Sequence, residues 1–185
     1  MSQISPDTAD WPVLLGQLIA AKQAVHEHDA DDVESWTIPR VKATEDEVAA
    51  LEQRVGERID ACYRQFLLHA NGWPRVLYDL SLFGIPEFDG QGDWLTANEM
   101  LGIYRDQSTL SESGLEAGGV MPVAAGEGMT DLIVIVRTGW KDAGTVVWFD
   151  GTEYDRWPNF TEFFKTLIAN EQAHADKLAA SDNDA

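Results

Sequence analysis

Apolar residues recur along this chain at two different periods, and the switch between them separates helical from strand-forming stretches. From about Asp10 to Val25, Trp11, Leu14, Leu15, Leu18 and Ile19 repeat at helical spacing, with Pro12 in the tolerant first turn. The run Glu27-His28-Asp29-Ala30-Asp31-Asp32-Val33-Glu34 is charged and reads as a solvated linker. Trp36, Ile38 and Val41 alternate around Pro39 and predict an extended stretch that re-enters the core. Thr44 and Glu47 have capping-box spacing, Val48, Leu51 and Val55 form the stripe of a second helix, and Gly56 ends it. Ile59, Cys62, Tyr63, Phe66, Leu67 and Ala70 predict a third helix, stopped by Asn71-Gly72 and Pro74.

Beyond Pro74 the period shortens to two. Val76, Tyr78, Leu80 and Leu82 alternate with Leu77, Asp79, Ser81 and Phe83 and predict one half-buried strand. Thr96 and Glu99 offer a second capping box, for a short helix through Met100, Leu101 and Tyr104, and residues 108–119 read as a loop. Val120 to Ala124 predicts a strand whose Pro122 argues for an edge or an end. Leu132 to Val136 is continuously apolar and β-branched, the mark of a central strand. Val146 to Phe149 predicts another strand, with Asp150-Gly151 turning toward Glu153-Tyr154. Asn159 and Glu162 cap a last helix, in which the spacing of Phe160, Phe163, Phe164, Leu167 and Ile168 assigns them to the core and not to a docking face. After Lys177 the chain is polar, and fraying is expected. The pattern predicts an α+β fold, a mostly antiparallel sheet with flanking helices in a single domain. Its expected organisation is an N-terminal helix and acidic linker over 1–43, a domain over 44–170 and a polar tail over 171–185.

Composition adds three constraints. A length of 185 residues suits one domain. One cysteine, Cys62, permits no internal disulfide and lies on an apolar helical face. Asp7 and Asp10 stand where a secretory signal would be basic, Gln17 breaks the apolar stretch Val13 to Ala21, and no run is long enough to span a membrane; a cytoplasmic location is expected.

Charge changes the picture most. The net charge is −19, and residues 44–168 hold 21 acidic and nine basic residues, so the acidity belongs to the body of the chain. Such a field repels nucleic acid and anionic lipid and steers basic partners; acidity that serves only solubility is the competing explanation.

Signatures of catalysis are missing. There is no Gly-x-Ser-x-Gly, Walker loop, dinucleotide fingerprint or His-Glu-x-x-His. His26, His28, Asp31 and Asp32 offer metal-ligand chemistry, but a linker does not preorganise it. Glu127 and Asp131 are paired carboxylates that read more simply as a charged hairpin. His69 and His174 have no recognisable partners in sequence. Neither a metal site nor a cofactor is expected. Trp73, Trp94, Trp140 and Trp157 adjoin Gly, Asp or Pro in expected loops, where each would either line a binding rim or cap the sheet.

Four segments in order carry a family resemblance. Val48-x-x-Leu51-Glu52-x-x-Val55-Gly56, Ile59 and Tyr63-x-x-Phe66-Leu67-x-x-x-Asn71-Gly72 form the first. Met121-Pro122-Val123-Ala124 with Gly126-x-Gly128-x-x-Asp131 is the second, and Gly144-Thr145-Val146-Val147-Trp148-Phe149-Asp150 the third. The fourth is Asn159-Phe160-x-Glu162-Phe163-Phe164-x-x-Leu167. Over roughly Thr44 to Ile168 the chain resembles Smi1/Knr4 (SUKH) domains, departing from them at Ile59-Asp60, where the family has Leu-Pro. The resemblance implies a non-enzymatic protein, commonly an immunity protein that neutralises a toxin, often a nuclease. The expected partner is then a basic toxin domain, and the expected contacts are Asp79, Glu87, Asp89, Asp93, Glu127, Asp131, Asp150 and Asp155, with Asp131 best matched to the family pattern. A regulatory or scaffolding module that binds an endogenous protein is the alternative, and an enzyme with an unrecognised site the third possibility.

Overall fold

The computed structural model describes residues 9–29 and 33–183, so Asp7, Asp31 and Asp32 lie outside the described residues. Helices α1 (Trp11–His28), α2 (Glu45–Val55) and α3 (Ala61–Leu67) come first, followed by strands β1 (Trp73–Leu77) and β2 (Leu80–Leu82). Helices α4 (Ile85–Phe88), α5 (Trp94–Asp106) and α6 (Thr109–Glu112) and a 3-10 turn (Ala117–Gly119) lead to β3 (Val120–Gly126). Strands β4 (Asp131–Val136), β5 (Val146–Asp150) and β6 (Thr152–Trp157) complete the sheet, and α7 (Phe160–Asn183) closes the chain. The six strands are antiparallel and lie in chain order, β1 to β6, which makes the fold α+β as the pattern predicts.

Both faces of the sheet are buried, which explains the unbroken apolar run of β4. Ile133 and Ile135 point into a core shared with α1, α2, α3 and α7, while Leu132, Val134 and Val136 pack toward α5 and α6. The aromatic stripe of α7 belongs to the first of these cores. Phe160 and Phe164 meet Tyr63 and Trp11 at ring centroid distances of 5.0 and 5.3 Å, a spacing typical of attractive aromatic pairs. Cys62 is buried in the same core. Along one side of α1, Trp11, Leu14, Leu15, Leu18, Ala21 and Val25 are buried as well.

Helix ends follow local chemistry where the sequence carries a cap. Thr44 and Glu47 form the reciprocal capping box, Gly56 takes the left-handed conformation after α2, and the Asn159 side chain accepts from the Glu162 N–H. The second expected box fails: α5 begins at Trp94, two residues before Thr96, with Asp93 at its N-cap position. The expected loop over 108–119 contains α6 and the 3-10 turn, and α7 stays helical beyond Lys177 to Asn183.

Three strand expectations are corrected. The stretch Val76 to Phe83 is a hairpin and not one strand, because Tyr78 adopts a φ of 44° and the chain reverses between Leu77 and Leu80. Tyr78-Asp79 lacks the Asn-Gly or Asp-Gly signature of a tight turn. Pro122 sits in an interior strand: the register slips between Pro122 and Ala124, and this bulge accommodates a residue without an N–H. Trp36, Ile38 and Val41 do not re-enter the core but stay exposed. Their segment is held from its polar side, where the Thr37 hydroxyl donates to the Arg75 carbonyl, the Arg40 N–H to the Gly72 carbonyl, and the Trp73 indole to Thr37. It thereby shields the outer edge of β1.

The Asn71-Gly72 stop acquires a tertiary role. The Asn71 side chain accepts from the Ile85 N–H at 2.7 Å, and Arg40 pairs with Glu87 through two bonds of 2.8 Å. Glu87 also accepts from the Gly84 N–H. A Cβ on Gly84 would fall 2.1 Å from the Asn71 carbonyl oxygen, whereas one on Gly102 in α5 would meet nothing within 4 Å. Gly84→Ala is therefore expected to destabilise the protein by about 1–3 kcal/mol, and Gly102→Ala to be neutral or to stabilise it by about 0.5–1 kcal/mol. Urea denaturation of the two variants checks this, and equal midpoints would contradict the close packing at Gly84.

Candidate functional site

Because the sheet is a meander, the β1–β2, β3–β4 and β5–β6 turns all lie at one end. Asp79, Glu127, Asp131 and Asp150 occupy these turns or their flanks, and Asp131 is the register partner of Asp150. Two contacts tie the turns together. The Asp79 carboxylate accepts from the Gly128 N–H at 2.9 Å, and Arg75 pairs with Glu127 at 3.0 Å. A Cβ on Gly126 or Gly128 would lie within 3.1–3.2 Å of the Asp79 carboxylate, so this Gly-x-Gly turn leaves room for a close acidic neighbour. The Tyr104 hydroxyl accepts from the Gly151 N–H and steadies the β5–β6 turn. Asp131 is held by the Trp148 indole at 2.6 Å and by the Thr130 hydroxyl.

A groove of about 470 Å³ runs between this end of the sheet and the second half of α7. Asp79 and Asp131 line it together with Tyr78, Trp148 and Tyr154 from the sheet and with Glu171, His174 and Lys177 from the helix. Tyr78 and Tyr154 are 54% and 69% exposed, so aromatic faces and carboxylates are offered side by side. Asp93 lies nearby: burial raises its pKa, the charges of Glu127, Glu87 and Asp79 raise it further, and a hydrogen bond with Ser81 opposes them.

Of the remaining expected contacts two are already paired with arginines, and Asp155 stands in register with the groove residue Trp148. Glu87 is buried and paired with Arg40, and Asp89 pairs with Arg54. Asp155 is exposed on β6. Of the four tryptophans expected in loops, Trp73 is buried in β1, Trp94 opens α5 against Phe83 and Phe88, and Trp157 ends β6 with its indole on Thr166. Trp140 alone of the four is in a loop and exposed.

Behind the groove lies a buried ionic cluster that sequence reasoning missed. The Lys22 ammonium donates to Glu34 at 2.7 Å and to the Val76 carbonyl at 2.9 Å, and stands 3.6 Å from Glu171. Lys22, Glu34 and Glu171 are each 2% exposed, which corrects the solvated linker at Glu34. His174 Nδ1 approaches the second Glu34 oxygen at 3.5 Å, and the Tyr78 ring lies over the His174 ring. One available signal was Glu171-x-x-His174, which sets both groups on one helical face. Nothing local marks Lys22 or Glu34. His26, by contrast, stacks on Trp36 and takes no part in the cluster.

Burial, then the hydrogen bond and charge of Glu34, push the Glu171 pKa from 4.5 up to about 8, with Lys22 opposing. The folded chain thus keeps this proton where the unfolded chain has released it, and this group's contribution to stability falls as pH rises from 4.5 toward 8. Glu171→Gln, which mimics the protonated form, is expected to gain stability relative to the parent chain between about pH 5 and pH 8. Chemical denaturation across that window measures the difference, and a pH-independent difference would exclude the shifted proton.

No described helix is long and apolar enough to cross a membrane. Residues 42–166 match the model of the SMI1 / KNR4 family (SUKH-1), a range that includes the whole sheet and the acidic turns but neither α1 nor Glu171 and His174. No curated protein matches the chain.

Proposed function

Since the chain belongs to the SMI1 / KNR4 family (SUKH-1), we propose that it is a non-enzymatic immunity protein that binds and neutralises a basic toxin domain, such as a nuclease, in the cytoplasm. The observation that carries this reading is the acidic turn end of the sheet, where Asp79 and Asp131 line a groove beside the exposed rings of Tyr78 and Tyr154. A lysine or arginine of the partner finds there a carboxylate for its charge and an aromatic face for its cation. A net charge of −19 adds long-range attraction for a basic domain, which raises the rate of encounter.

Within this reading Glu127, Asp150 and Asp155 are the exposed steering charges, and Asp79 and Asp131 are the held contacts. Glu87, buried against Arg40, contributes least, and Glu127 and Asp89, exposed but each paired with an arginine, contribute less than Asp150 and Asp155. An endogenous partner for a scaffolding module would use the same surface, and the two readings differ in what is captured.

The test uses the tagged full-length chain against candidate toxin domains encoded beside it, followed by kinetics on any domain captured. Capture of one basic domain, with its activity suppressed and its binding salt-sensitive, is the expected result. The triple reversal Glu127→Lys, Asp150→Lys and Asp155→Lys should slow association on the order of tenfold and flatten its salt dependence. Association rates that ignore the reversal would remove this face from the interface, and recovery of housekeeping proteins alone would favour the scaffold.

A further inference from the structure

We propose that Glu34, Glu171 and His174 form a binding site for a divalent transition-metal ion of the Zn²⁺ type. One ligand atom from each residue lies within 4.8 Å of the others, and His174 Nδ1 is 3.5 Å from Glu34 Oε2. Donor atoms around a tetrahedral zinc stand roughly 3.3 Å apart, as bond lengths of about 2.0–2.2 Å require, so little movement is needed for the three to share an ion. The second observation concerns the carboxylates themselves. Glu34 Oε2 and Glu171 Oε1 are buried and no other described residue donates a hydrogen bond to them, so their burial is relieved only by a proton shared between the two carboxylates or by a cation in its place.

Lys22 does not already fill this role. Its ammonium is spent on the other Glu34 oxygen and on the Val76 carbonyl, and it stands 3.6 Å from Glu171 Oε1, beyond a good hydrogen bond. Two carboxylates face one ammonium, and a metal ion that bound both would take the place of the proton that Glu171 otherwise keeps. Glu171 and His174 also line the 470 Å³ groove, which gives an ion a path inward and a water room to complete its coordination. The donor set, one imidazole nitrogen with two carboxylates, suits zinc and its neighbours and not the all-oxygen preference of Ca²⁺ or Mg²⁺. Glu171-x-x-His174 presents both ligands from one face of α7, a spacing that metal-binding helical bundles also use. All three residues lie outside the family match, although Glu171 and His174 share the groove with Asp79 and Asp131.

The experiment titrates Zn²⁺ calorimetrically into the full-length chain in excess Mg²⁺, which occupies the many exposed carboxylates. His174→Ala and Glu171→Gln are compared with His69→Ala, a histidine outside the cluster. One site per chain is expected in the parent and in His69→Ala, weakened at least tenfold in His174→Ala and Glu171→Gln, with a Zn²⁺-dependent rise in melting temperature that follows the same division. Co²⁺ offers a separate readout, ligand-field absorption that disappears with His174. Should Glu171→Gln not fold, His174→Ala decides alone, since His174 is partly exposed. Equal Zn²⁺ binding by the parent and His174→Ala, or only weak multiple binding by the parent, overturns the proposal.

Discussion

Burial of the sheet on both faces is the constraint on which the rest of this structure depends. The alternate residues of β4 serve two separate cores, so helices must cover both sides, and α1, α3 and α7 on one face and α5 with α6 on the other meet that need. The central strands therefore offer no free face, whereas the edge strand β6 is mostly exposed. What remains open is its ends and edges. The segment before Ala43 shields the β1 edge, and the end with three tight turns is where the acidic side chains gather.

Charge inside the molecule is organised differently from charge on its surface. Lys22 joins α1 to the Glu34 segment, to the end of β1 and to α7, and Arg40 joins the same N-terminal segment to α4 through Glu87. Buried pairs of this kind add little net stability over apolar packing, but breaking one leaves an uncompensated charge at a cost of about 3–5 kcal/mol. Their effect is to specify where the N-terminal stretch lies. The Lys22 cluster also forms the back of the groove, so the element that anchors α1 shapes the surface offered at the turn end.

The groove sets exposed aromatic rings beside carboxylates. Acidity for solubility alone needs no aromatic neighbours, whereas Tyr78 and Tyr154 stand exposed beside Asp79 and Asp131. Exposed aromatic rings lose little conformational entropy on binding and offer large contact area, which suits a docking surface for basic side chains.

What the sequence determined by itself was whatever depends on neighbours along the chain. The Thr44–Glu47 cap, the α1 and α7 stripes, the apolar run of β4 and the Asp150-Gly151 turn were legible because period and capping chemistry act within a few residues. The family was legible for the same reason, since its motifs are local runs in a fixed order. Decisions that weigh long-range contacts belonged to the tertiary structure. The Tyr78–Asp79 reversal, the bulge at Pro122 and the outward Trp36 depend on pairing partners remote in sequence. Among the expected contact residues, chain order showed the acidic turns but not that Glu87 is buried against Arg40, 47 residues away. Lys22, Glu34, Glu171 and His174 are unremarkable polar residues in the sequence; folding α1 and the Glu34 segment against α7 removes the first three from water, and only there does the proton on Glu171 come to depend on Glu34 and Lys22.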